Sequence, residues 1–148
     1  MSGSAGALAS GPESRYVVDA LTGLLDGSPR AASAQLGAGA SATSWASVLH
    51  RLDVAGRALA LDAGLMPADA PATALRVAAL AAATGVDPLP ASIDGVVAAW
   101  TRGEGIPVSV DLSGGAVDTL PDDERAFGAC LVLAHLVDQA GYPPQVVA

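Results

Sequence analysis

A chain of 148 residues has the length of one domain and enough of it to bury a core. Its net charge of −8 and pI near 4.3 leave seven basic residues scattered among fifteen acids, which excludes a phosphate-binding surface and an anionic membrane surface. Apolar residues make up 51% and the mean hydropathy is +0.45, but the excess is alanine, which forms helix at no side-chain entropy cost and buries little area per residue.

In chain order, residues 1–13 are Gly, Ser and Ala with one proline and read as a disordered tail, leaving 14–148 as a single helical domain. Ser14 caps a short helix with Val17, Val18, Leu21, Leu24 and Leu25 on its apolar face, ended by Gly27-Ser28-Pro29. Residues 29–41 can make a weak helix, from Arg30 to Leu36, after which Gly37 and Gly39 loosen the chain before the next start signal. Thr43 or Ser44 then caps a strong helix running to about Ala63. Trp45, Val48, Leu49, Leu52, Ala55, Gly56 and Leu59 form its amphipathic stripe. Val54, Ala58 and Leu61 widen that stripe, so burial on more than one side is expected, and Asp53 can pair with Arg57 four residues on.

Asp69 caps the next helix, with Pro71 at its start and Leu75, Ala78, Ala79 and Ala82 on one face. Ser92 caps a shorter one carrying Ile93, Val96, Val97 and Trp100. Between 106 and 120 the period changes to two: Ile106, Val108, Val110 and Leu112 alternate with other residues, and Ser113-Gly114-Gly115 is a turn signal. A hairpin fits, and so does an extended loop. Thr119 or Leu120 then leads into Pro121, followed by Asp122, Asp123 and Glu124, three acids at the positive end of a helix dipole. From Ala126 to Ala140 that helix carries only His135, Asp138 and Gln139 as strongly polar residues, so it is central or buried against a second subunit.

Gly64-Leu65-Met66-Pro67, Gly85-Val86-Asp87-Pro88 and Gly141-Tyr142-Pro143 repeat one helix-stop rule: a left-handed glycine, an apolar residue folding back, and a proline barring continuation. The fold expected is mainly α, a compact bundle of about five helices around an apolar C-terminal helix, with the short β-hairpin or loop at 106–120.

The only two histidines sit in the same pattern. His50 to Gly56 and His135 to Gly141 both read H-x-x-D-x-A-G, which puts each imidazole and its aspartate on one helix face. If the two faces met in one cavity, His50, Asp53, His135 and Asp138 could ligate a divalent metal ion. The bundle pattern of Glu-x-x-His with further glutamates is missing, because Glu13, Glu104 and Glu124 all lie outside helix interiors. The alternative places His50 on a solvated face and His135 in the core. The two Ala-Gly tails also differ, since Gly141 ends a helix whereas Gly56 falls inside one, where glycine costs about 1 kcal/mol.

Cys130 stands five residues from His135, a spacing that turns the side chains apart, and its neighbours Phe127, Leu131 and Val132 suit a neutral buried thiol. Asp118, Asp122, Asp123 and Glu124 form the densest acidic patch but lack the ligand register of a calcium loop.

No catalytic constellation is assembled by these motifs, and the apolar surplus is large for so short a chain. The function expected is a non-enzymatic accessory or protein-interaction domain, self-associating through apolar helix faces. Beside it stand a small ligand- or metal-binding protein or enzyme using His50/Asp53 and His135/Asp138, and an acidic inhibitor or immunity-type partner of a basic protein. No cofactor is expected apart from such a divalent ion, and the expected partner is a second copy or another protein, not nucleic acid or membrane. A single cysteine, no apolar run of membrane-spanning length and no signal-peptide pattern lead to a cytoplasmic assignment. Arginine in place of every lysine, among abundant Ala, Gly and Pro, is the codon signature of a GC-rich bacterial genome.

Overall fold

The computed structural model describes residues 12–85, 90–107, 109–111 and 117–147, without the side chains of 90–92, 109–111 and 117–118. Helices α1 (Glu13–Leu25), α2 (Pro29–Ala42) and α3 (Trp45–Asp62) come first, followed by α4 (Ala70–Ala83) and α5 (Pro90–Thr101). A hairpin of β1 (Ser109–Asp111) and β2 (Val117–Thr119) leads to α6 (Asp122–Ala140). Short 3-10 turns at Pro67–Asp69 and Pro144–Val147 complete the described elements. The molecule is the expected mainly-α bundle, with α6 at its centre.

Helix α6 packs against all five other helices. Ala126 and every residue from Gly128 to Val137 are buried, so the all-round apolar sequence is consumed inside one chain. Its start at Asp122 after Pro121 and its stop at left-handed Gly141 follow the sequence signals, and Tyr142 N–H folds back to Val137 O at 3.2 Å. Gly64 ends α3 in the same way, with Leu65 N–H donating to Ala60 O. The 3-10 turn at the C-terminal end returns the chain to α1, where Val147 is buried.

Four elements depart from the sequence reading. Helix α1 begins at Glu13 after Pro12, with no side-chain cap; Ser14 is buried inside it, so the helical domain takes in the last residues assigned to the tail, while 1–11 lie outside the described residues. Helix α2 runs to Ala42 straight through Gly37 and Gly39. Tertiary contact overrides propensity here, because a Cβ at Gly39 would stand 2.9 Å from the Tyr16 Cβ of α1. Helix α4 turns its Thr73, Ala74, Val77 and Ala81 inward, leaving Leu75, Ala78, Ala79 and Ala82 exposed. Asp69 does not cap α4 with its side chain; its carboxylate accepts from Met66 N at 2.8 Å and closes the preceding turn. Helix α5 begins at Pro90, two residues before Ser92.

Between 106 and 120 the described residues form a hairpin, pairing Ser109 with Thr119, Val110 with Asp118 and Asp111 with Val117. Its turn signal at 113–115, like Val86 to Pro88 of the second glycine stop, lies outside the described residues. Ser44 does cap α3, its hydroxyl accepting from Ser47 N at 3.1 Å. Among the described residues no helix is long and apolar enough to cross a membrane.

Trp100 is buried and accounts for the internal glycine of α3. Its indole lies where the Gly56 side chain would be, 2.4 Å from an ideal Cβ, so only glycine lets α5 approach α3 this closely. Trp45, the other tryptophan, is only half-buried at the edge of the core.

Candidate functional site

The two His-Asp pairs have separate fates. His50 is exposed on α3. Asp53, one turn on, points away to α5, and its Oδ1 accepts from Trp100 Nε1 and from the Ile106 backbone N, both at 2.8 Å. Arg57 does not pair with that carboxylate; its Nε donates to the Asp53 backbone carbonyl at 3.3 Å. From the other side, Arg125 of α6 donates to Pro107 O at 3.0 Å and to Ile106 O at 3.2 Å, while also pairing with Asp122 at 2.9 Å. Asp53 and Arg125 thus tie residues 106–107 to two helices just before the hairpin. The carboxylate offered as a metal ligand is a structural latch.

His135 is 5% exposed and lies in the core, whereas Asp138 is exposed. The imidazole Nδ1 is buried and has no hydrogen-bond partner. Burial lowers the His135 pKa, the nearby Arg76 guanidinium lowers it further, and Asp138 opposes both. The ring is therefore neutral at pH 7. Among the described residues no three His, Cys, Asp or Glu side chains come together in a way that could hold a metal ion, so His50, Asp53, His135 and Asp138 are not brought to one cavity.

What surrounds His135 is instead a pair of grooves along the seam of α4 and α6. One, of about 410 Å3, is bounded by Thr73 and Arg76 of α4, His135 and Gln139 of α6, and Asp62 and Tyr142 at the ends of α3 and α6. The Tyr142 hydroxyl donates to Asp62 Oδ2 at 2.8 Å, and that bond to a carboxylate raises the phenol pKa. The other groove, about 230 Å3, runs beyond His135 between Leu24, Leu80, Leu131 and Ala134. Sequence reasoning missed Arg76, Tyr142 and Asp62. No motif links them, because they lie on three separate segments that meet only in the folded chain.

A second feature lies on α3. Val54, Ala58 and Leu61, expected to be buried, face solvent: Val54 is 40% exposed and Leu61 82%. They line one wall of a groove of about 390 Å3, with Leu65 and the edge of Trp100 opposite. Among the described residues, no element covers this second apolar stripe of α3.

Cys130 is fully buried, and desolvation pushes its thiol up to about 12, so it has no thiolate to use as a nucleophile. Asp122, Asp123 and Glu124 are exposed in the first turn of α6 and complement its dipole. Comparison with family models, with curated proteins and with solved structures returns no match.

Proposed function

We propose that the protein is a non-enzymatic interaction domain that self-associates through the exposed stripe of α3. The observation that carries this reading is the arrangement of Val54, Ala58 and Leu61 along one uncovered helix face beside an apolar groove. Uncovered apolar patches with a cavity beside a projecting side chain mark association surfaces. The occupant proposed is a second copy. Val54 and Leu61 lie nearly symmetrically about Ala58, so two α3 helices crossing antiparallel at that small residue set Leu61 of each copy against Val54 of the other. A two-fold interface requires this self-complementarity, in which residue i meets j and j meets i. Leu61 then supplies the knob and the groove between α3 and α5 supplies the hole.

Light scattering at tens of micromolar tests the proposal directly. The wild-type protein is expected as a dimer, and Leu61→Arg as a monomer with unchanged helical circular dichroism, since an 82% exposed side chain contributes little to the fold. A monomeric wild-type protein at those concentrations would remove the proposal.

A further inference from the structure

The polar groove beside His135 holds a combination that folding does not require. A buried nitrogen with no partner costs about 1–3 kcal/mol, and His135 Nδ1 stands in that state within a helix whose other buried positions are apolar or small. A leucine there would remove the cost. Across the groove, Arg76 is exposed and makes no ion pair or hydrogen bond among the described residues. Every other arginine but Arg30 has an ion-pair, hydrogen-bond or ring partner. The volume of this half-open groove, about 410 Å3, falls within the span of small-ligand sites, roughly 300–1,000 Å3.

We propose that this groove binds a small monocarboxylate, with its carboxylate on Arg76 and its body over Leu65 and Leu136 beside the His135 ring. The charges select this class. Arg76 is the sole cation lining the groove, while Asp62 lines it from α3 and Asp138 acts on the ring from α6. One guanidinium, with the lining acid Asp62 already engaged by Tyr142, suits a single negative charge and disfavours a phosphate dianion. Leu65, Leu136 and Ala140 offer the remainder of the molecule an apolar bed, as small-molecule sites do. A guanidinium gives the carboxylate paired N–H donors in matching geometry.

Because the chain has only two histidines, their ring resonances make an internal comparison. Hexanoate is titrated into the full-length protein while long-range 1H–15N imidazole spectra are recorded, with hexanamide at equal ionic strength as the neutral control. His135→Gln assigns the signals. The expected result is a saturable shift of the His135 ring with hexanoate in the millimolar range, an unmoved His50, and no saturation with hexanamide. Arg76→Gln, a substitution at an exposed position, is expected to fold normally and to weaken hexanoate at least tenfold. Failure to saturate, an equal response to hexanamide, or unchanged affinity in Arg76→Gln would each overturn the proposal. Leu65 borders both this groove and the α3 groove, so the titration is repeated in Leu61→Arg, where the same response to hexanoate is expected if the two proposals are independent.

Discussion

Asp53 ties two distant segments to α3 through a single carboxylate oxygen. Its Oδ1 satisfies two N–H groups from residues nearly sequestered from water, Trp100 at 3% exposure and Ile106 at 6%. Asp53→Ala leaves both donors unmatched, with an expected loss of about 2–4 kcal/mol in urea unfolding. Asp53→Asn keeps an oxygen acceptor and should recover about half of that. Equal stability of Asp53→Ala and the wild type would show that the latch contributes nothing. His135 makes its own statement through pH. The denatured ring takes up its proton near the ordinary histidine value of about 6.5. The native ring does so only at lower pH, because burial and Arg76 disfavour the cation. Stability from this residue is thus complete above the denatured value and declines as pH falls from there toward the native value, levelling off below it. Parallel thermal melts of wild type and His135→Gln across that window should show the decline only in the wild type.

At the level of elements, the contact between α3 and α5 turns on a missing side chain. Gly56→Ala improves helix propensity by about 1 kcal/mol, yet its Cβ would enter the Trp100 indole. Overpacking of this kind costs about 1–3 kcal/mol, so a net loss is expected in chemical denaturation. A stabilised Gly56→Ala would mean the indole moves freely. The sequence displayed only half of this contact. An internal glycine in α3 was visible as a cost, but Trp100, 44 residues on, was not identifiable as its cause.

The legibility of the other elements follows from their contrast. Helix α6 was legible as an element, with its stop at Gly141, since proline, three acids and a terminal glycine bound an apolar run. Helix α4 could not be oriented, because alanine occupies every side of it and leaves no polar face to read against. The same limit hid the groove: Arg76 belongs to a helix whose inward face was misassigned. The two H-x-x-D pairs were legible as local geometry, three residues apart on one helix face. Their destinations were set by α5 for Asp53 and by the core for His135, which no spacing within α3 or α6 encodes.

For the whole molecule, the decisive balance is between charge and apolar surface. Each copy carries a formal net charge of −8, which opposes association at long range. The α3 stripe itself is uncharged, with Arg57 at its border. Added salt shortens the Debye length from about 10 Å at 0.1 M to about 3 Å at 1 M and so removes repulsion while leaving apolar burial intact. The proposed self-association through α3 is therefore expected to strengthen as salt rises. A protein acting as an acidic mask for a basic surface has the opposite dependence, since its attraction to the partner is screened. Sedimentation equilibrium at tens to hundreds of micromolar protein, in low and high sodium chloride, separates these behaviours most directly. A monomer–dimer equilibrium that tightens with salt and disappears in Leu61→Arg is the outcome expected. A single monomeric species throughout, or a dimer indifferent to Leu61→Arg, would contradict the account.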